Sequence, residues 1–559
     1  MLRAVVIGAA ALALAPAAGA GVLAYPSSQT IPPGGALPKG GSPAVKLNAA
    51  IGEREGAWLV VRGARTVSAS IDTSQLGAVK AAVYFGHFVD FGGRAVPDAL
   101  LPWDGADRAT EKPNQPLYLQ VLVPPDAQPG SYRATVKIKA DGTESAVPVT
   151  VAVFNVRLPA PSSASGNLLT SFHLGAQSYV SKVDQLYHLG SNPARAAANA
   201  SLYAFLADYR ISPASWGFGE PKKASGYEGS SKWWLDAAGN MAKEAGAGFA
   251  AMRVPISSQR TTQRNWIAGI SPFQPDTWCN YLGSVRSFWE QHGWLSERVP
   301  YLYTLDEPGL EGQRLVAKQA AAAHSCFAGS KMLMTGNPSA ANQFLWDNRG
   351  GDDVDIWVVL ARRFYGQFSN PKAKVNRTRQ NLGFVDGVRR AGKIVWSYTY
   401  SGIPGTPGYT TAEPLSNPRV LQLWNALEGI QGTLYGQGTT TYTQGNPLES
   451  VAANGEYVLL YPGRTAPIAS ARLEQIRDGI EDWDVFDLVR RQRGQAAVRT
   501  ILAGAGLFSA TPQGIKLACH MGCELASSTK YAWPQWSHDA STAAKIEQAH
   551  LRALRLVAR

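Results

Sequence analysis

Arg298-Val-Pro-Tyr-Leu-Tyr-Thr-Leu-Asp-Glu-Pro308 is an apolar, aromatic run that ends on two adjacent acids and a proline. Branched and aromatic residues suit a strand, and a proline, lacking an N–H, stops its pairing. The run therefore predicts a strand delivering Asp306 and Glu307 at its end, where a barrel enzyme holds its acid. Neighbouring side chains on a strand leave by opposite faces, so both carboxyls reach one cavity only if the backbone bends there. Pro308 and Gly309 permit such a bend. The rival use of either acid is as a cap for a helix beginning near Leu310.

Around this strand, from Asn167 onward, short apolar segments alternate with helical ones. Eight strand candidates can be counted: Leu168–His173, Ile211–Trp216, Phe249–Pro255, Val299–Leu305, Lys331–Gly336, Val354–Leu360, Ile394–Tyr400 and Thr433–Tyr435. Helical runs fit between most of them, including Thr277–His292, Gly312–Ser325, Lys374–Ala391 and Pro418–Glu428. The pattern predicts a (β/α)8 TIM-type barrel. An open doubly wound sheet is the alternative, and no glycine-rich phosphate loop supports it.

Upstream, alternating runs at 57–61, 79–84, 117–123, 131–138 and 147–154 are separated by turns such as Pro129-Gly130, which predicts an antiparallel β-sandwich. The fold class is thus α/β with an all-β accessory domain. The expected divisions are a signal peptide at 1–20, a flexible lead-in over 26–45, a β-sandwich domain at 25–160, a catalytic barrel at 167–465 and a C-terminal helical extension at 466–559 packed on it. Within that extension Ser470 opens a helix whose stripe is Leu473, Ile476, Ile480 and Trp483, with the Arg477 and Glu481 charges bracing other faces.

The chain has 559 residues, 45% of them hydrophobic, which is enough for more than one core. Arg3, the apolar run from Ala4 to Leu14 and Ala18-Gly-Ala20 compose a secretory leader, so a secreted or periplasmic bacterial protein is expected. No later stretch offers a bilayer span, so stable membrane insertion is not expected. The 4 cysteines suit an oxidising compartment, with Cys279 to Cys326 and Cys519 to Cys523 as one of three possible pairings. A formal charge of +12 fits anionic glycan surroundings, while the scattered basic residues and missing nucleic-acid modules argue against a nucleic-acid partner. With 8 histidines and no paired ligand motif, neither a metal nor another cofactor is expected, and no residue pattern fixes an oligomeric state.

At the predicted strand ends stand His173, Trp216, Arg253, Tyr303, Asn337, Tyr365, Trp396, Tyr398, Tyr400 and Tyr435. Sugars present apolar C–H faces ringed by hydroxyls, so aromatic platforms with a few polar groups make a substrate-binding cleft for a glycan. Core packing is the competing use of each aromatic taken singly.

Several segments together resemble glycoside hydrolase family 123 and the related uncharacterised bacterial catalytic-domain group: Val123-Pro-Pro-Asp-Ala-Gln-Pro-Gly-Ser-Tyr132, Thr304-Leu-Asp-Glu-Pro308, Ile394-Val-Trp-Ser-Tyr398, Tyr461-Pro-Gly463 and Arg472-Leu-Glu-Gln-Ile-Arg-Asp-Gly-Ile-Glu-Asp-Trp483. The resemblance implies a retaining β-N-acetylgalactosaminidase-like glycosidase with Asp306 and Glu307 as its neighbouring catalytic acids.

Ordinary retaining glycosidases use two carboxyls on separate elements. The predicted seventh strand, Ile394–Tyr400, has no acid. That favours substrate assistance, in which a sugar's own 2-acetamido group attacks the anomeric carbon, Asp306 orients its nitrogen, and Glu307 protonates the leaving oxygen inside a partly closed pocket. For a sugar lacking that group, Glu413 is the first candidate for a missing nucleophile. The non-enzymatic alternative is a secreted glycan-binding protein.

Overall fold

The computed structural model describes residues 21–215, 232–256, 259–260, 275–348, 353–361, 364, 367–368, 376–399, 406–436, 439–442, 445–452, 454–516, 530–537 and 539–558. The leader, Trp216, Tyr365, Tyr400 and the Cys519 and Cys523 pair lie outside the described residues.

The eight segments expected to be strands form one eight-stranded sheet. They are β1 (Leu169–Leu174), β2 (Pro213–Ser215), β3 (Ala251–Arg253), β4 (Val299–Tyr303), β5 (Lys331–Thr335), β6 (Ile356–Leu360), β7 (Ile394–Thr399) and β8 (Gly432–Tyr435). Every recorded pairing among them is parallel, in the order β2-β1-β8-β7-β6-β5-β4-β3. Parallel neighbours need crossovers, and the chain supplies helices α1 (Ala176–Tyr187), α2 (Asn192–Asp208), α3 (Lys232–Ala247), α4 (Pro275–Gln291), α5 (Leu310–Cys326), α6 (Asn376–Arg390) and α7 (Asn417–Glu428). This is a nearly closed TIM-type barrel.

The two-residue period of the strands sorts their side chains. Leu169, Tyr301, Tyr303, Leu333, Ile356, Val358, Leu360, Trp396, Tyr398 and Leu434 share the barrel interior. Phe172, Met252, Leu302, Met334, Trp357, Val359, Val395 and Tyr435 face outward into the larger core shared with the helices. A disulfide, Cys279–Cys326, ties α4 to α5 on either side of β4.

The preceding residues, with one short strand from beyond the barrel, form a six-stranded and a five-stranded sheet around a core containing Leu59, Val61, Leu117, Leu119, Val136, Ile138 and Val149. Two pairings depart from the antiparallel expectation. Thr143–Arg157 runs parallel to Val45–Ile51, and Ser450–Val451, which follows the barrel in sequence, lies parallel on Lys80–Phe91. In the strand Arg54–Arg62, Leu59 and Val61 point into the sandwich while Trp58 and Val60 point into the barrel's outer core, so this sheet is buried on both faces.

The 26–45 lead-in is not the loose segment its Pro and Gly content predicts. Ser27 and Ser28 are buried, Ser27 Oγ donates to Asp478 at 3.1 Å, and Asn114 Nδ2 donates to the Pro32 carbonyl at 3.1 Å. Its backbone polar groups find partners in the folded bodies, so the segment packs.

Beyond the barrel come α8 (Ala471–Arg493), α9 (Gln495–Gly504) and α10 (Thr542–Val557). Ser470 caps α8 by accepting from Leu473 N at 3.0 Å, as the sequence predicts. The expected stripe is buried, and so are the charges. Arg477 lies between Glu474, Asp478 and Glu481, while Arg419 from α7 grips Asp482. A helix of this polarity survives burial because its charges are paired. Among the described residues no helix is long and apolar enough to cross a membrane.

Candidate active site

Past the end of β4 the chain continues through Leu305 and Asp306, which pair in parallel with Gln259 and Arg260. The alternation of the strand then breaks at Glu307, whose φ of +45° lies in the left-handed region. That conformation is uncommon for a residue with a side chain. The bend needed to bring neighbouring acids together is therefore made by Glu307 itself. Gly309, expected to share that task, is extended and serves as the N-cap position of α5, where no side chain caps the helix. This disposes of the capping role for either acid.

Three hydroxyls hold the turn. Tyr303 donates to Asp306 Oδ1 at 2.7 Å. Thr335, at the end of β5, accepts the Glu307 backbone N–H at 2.7 Å and donates to Asp306 Oδ1 at 3.2 Å. Tyr398, from β7, donates to Glu307 Oε1. Burial, reinforced by the adjacent carboxylates, raises the Tyr303 and Tyr398 phenols well above their ordinary range, so both keep the proton they donate. Asp306 is half-buried and Glu307 exposed, so the described residues do not supply the closed pocket expected around the second acid.

The other predicted site residues divide. His173 is half-buried and shares the inner side of β1 with Leu169 and Ser171, the latter bonded to Tyr301 at 2.8 Å. Asn337 is half-buried just beyond β5, with its carbonyl accepting from Asn342 at 3.0 Å. Arg253 is buried rather than lining a cleft. Its guanidinium donates to the Ile256 and Tyr303 carbonyls at 3.2 and 2.7 Å, bracing the ends of β3 and β4.

Trp396 points inward but one layer too deep, fully buried, edge-on to Tyr301 at 5.9 Å and pressed on Gly432. Tyr435 points the other way, its hydroxyl donating to the Glu456 carbonyl and its ring beside Tyr409 at 4.9 Å. These two are packing residues here, Trp396 because it lies a layer below the mouth and Tyr435 because its parity sends it to the outer face.

Glu413 is also committed elsewhere. Its Oε2 accepts from Gly408 N at 2.7 Å and Asn417 Nδ2 at 2.9 Å, and burial pushes its carboxyl up to about 7. It borders a cavity of about 150 Å³ shared with Thr30, Ile31, Arg94 and Leu415, facing the sandwich.

Thr335 is the side chain bonded to both acids that the sequence did not single out. The available signal was its parity with Leu333 at the end of the predicted fifth strand. Among the described residues, one trio of metal-ligand type has its donor atoms within 4.8 Å of one another: Glu53, Asp482 and His550. It is remote in sequence from the acid pair, and the Arg419 guanidinium already bonds both oxygens of Asp482 at 2.5 and 3.1 Å. The Asp482 charge is thus already met by a side chain.

The acid pair falls within residues 234–489, which match the family model of the glycoside hydrolase 123 catalytic domain. The whole structure is similar to that of a family 123 glycoside hydrolase from Clostridium perfringens, studied for glycolipid glycan hydrolysis. The TM-score is 0.63 at 12% identity, covering 96% of this chain and 99% of that one. A broad-specificity endoglucanase from Clostridium longisporum, 10% identical, gives a TM-score of 0.33 over 58% of this chain and 99% of its own. An endo-β-1,4-mannanase from Thermotoga petrophila, 13% identical, gives 0.33 over 57% and 77%. Both superpositions are too loose to carry an argument. No curated protein matches.

Proposed function

We propose, from the premise that this chain carries the catalytic domain of glycoside hydrolase family 123 and is a glycosidase, that it is a retaining β-N-acetylhexosaminidase-like enzyme, N-acetylgalactosaminidase-like in its sugar, working by substrate assistance. One observation supports this above the rest. The two acids come from consecutive positions at the end of β4, while β7 offers the hydroxyl of Tyr398 where a separate nucleophilic carboxylate would otherwise stand.

In the first step the acetamide oxygen of the substrate attacks the anomeric carbon and the bond to the leaving oxygen breaks. Glu307 gives its proton to that oxygen. Asp306, held by Tyr303 and Thr335, accepts the acetamide N–H and steadies the positive charge of the oxazolinium ring. In the second step Glu307, now a carboxylate, takes a proton from water, which opens the ring from the opposite side. Two inversions give net retention. The substrate reading extends to an anionic glycan, which the +12 formal charge favours. An exported location belongs to the same reading, supported by the Cys279–Cys326 bond.

The test is a panel of 4-nitrophenyl β-glycosides with and without a 2-acetamido group. Turnover is expected on the acetamido sugars, with inhibition by a thiazoline analogue of the cyclic intermediate. Glu307→Gln should lower kcat/KM by about a hundredfold or more. Cleavage confined to sugars lacking the acetamide would overturn the assisted mechanism.

A further inference from the structure

We infer that Thr335 is a positioning residue of the reaction, the group through which the shape of the turn at Glu307 and the orientation of Asp306 are set together. This inference rests on reading Asp306 and Glu307 as the acting carboxyls.

Thr335 ends β5 with 1% of its surface exposed, inside the barrel mouth. A β-branched residue suits a strand there, and valine would suit it equally. The hydroxyl is what a strand does not require, and a buried hydroxyl is costly unless bonded. Its bonding is specific. The oxygen receives the Glu307 backbone N–H at 2.7 Å, the bond that ties down the left-handed residue. With its lone pair so used, the hydroxyl proton turns to Asp306 Oδ1 at 3.2 Å, the same oxygen that Tyr303 addresses at 2.7 Å. The Tyr303 and Thr335 oxygens are themselves 3.3 Å apart.

One atom thus links the main chain of the proton donor to the carboxylate of its partner. A shift of the turn at Glu307 pulls on Thr335 and so on Asp306. Misplacing a reacting group by about 1 Å costs roughly a hundredfold in rate, so a link of this kind acts on turnover even without touching substrate. The Asp306 and Glu307 pair sits on a strand end, and rigid elements hold such geometry better than loops. Thr335 extends that rigidity from β5 to the one residue of the turn that departs from strand conformation.

The experiment compares wild type, Thr335→Val and Thr335→Ser on whichever aryl glycoside the wild type cleaves best, with rates expressed per folded molecule. Valine keeps the shape and loses both bonds; serine keeps them. Thr335→Val is expected to lower kcat about tenfold to a hundredfold with KM nearly unchanged, the mark of an interaction that matters in the transition state. Thr335→Ser is expected to stay within a few-fold of wild type. In a Glu307→Gln background the valine should add little, because residues acting as a unit are not additive.

Wild-type kcat in Thr335→Val, equal damage by serine and valine, or a loss seen only in thermal stability would overturn the inference. A substrate panel that rejects the acetamido sugars leaves this comparison intact, since it is read on any glycoside cleaved. Full activity in both Asp306→Asn and Glu307→Gln removes the reading beneath it instead.

Discussion

At the scale of single residues, the cost of this site sits in the backbone of Glu307. A left-handed residue with a side chain is disfavoured by about 1 kcal/mol or more, and such conformations persist only where neighbours enforce them. Here Thr335 and Tyr398 enforce it from two other strands. Glu307→Gly should remove the steric penalty, which offsets the added freedom of the unfolded chain. The expected result is a protein at least as stable as wild type and without turnover, read by thermal unfolding beside an activity assay. A loss of more than about 1 kcal/mol would show that the turn is relaxed with its native side chain. The sequence made both acids legible because Pro308 marks where pairing stops. It did not reveal that Glu307, rather than Gly309, makes the bend, since nothing in a glutamate announces positive φ. Nor could it assign Trp396 and Tyr435, because one position along a strand changes the face and one layer changes the depth.

At the scale of elements, the barrel strands were legible because each is an apolar run bounded by turns, and parallel strands buried on both faces read that way. Helix α8 was legible in extent and in its stripe, but not in surroundings. Its charged faces look like solvated faces in the sequence, whereas α7, α10 and the strand Arg54–Arg62 cover them in the structure. Gly479 measures how close that covering is. A Cβ there would stand 2.9 Å from Gln422 Cγ and 3.0 Å from Arg419 Cα on α7. Alanine is the better helix former by about 1 kcal/mol, but overpacking against backbone costs about 1–3 kcal/mol, and the Arg419 side chain cannot step aside without leaving Asp482. Gly479→Ala should therefore lower the urea midpoint with an unchanged m-value, a net loss of about 1 kcal/mol. A raised midpoint would mean that propensity outweighs the contact.

For the whole molecule, the decisive quantity is the charge sealed between the sandwich, the barrel and its terminal helices. Arg210, Arg419, Arg477 and His550 face Glu53, Glu55, Glu474, Asp478, Glu481, Asp482 and Asp484, so seven buried carboxyls meet four basic groups and three negative charges are left over if all ionise. Burial resolves the surplus by retaining protons. It pushes Asp478 up to about 6, Glu481 up to about 7 and Asp484 up to about 8, and Glu55 well above its ordinary range. Elsewhere in the fold it raises Glu244 to about 8 and Glu413 to about 7. An unfolded chain sheds these protons near pH 4, so between about pH 4 and 8 the folded state binds more protons than the unfolded one, and stability falls as pH rises. His550 acts in the same sense above its unfolded value of about 6.5, because its carboxylate neighbours raise it despite burial. Asp482 and Asp355, held low by their basic partners despite burial, work oppositely, but only below about pH 4. The thermal midpoint should accordingly decline by on the order of 5 °C from pH 6 to pH 9. The clearest check is the same scan on Asp484→Asn, which removes one of these raised acids and leaves a single carbonyl oxygen where Arg210 and the Leu168 N–H now bond separate carboxylate oxygens. Its decline above pH 7 should be shallower than that of wild type. A midpoint that is flat or climbing from pH 6 to 8 in the wild-type protein would mean that the seam between sandwich and barrel holds its carboxyls ionised, and that some cation other than these four groups balances them.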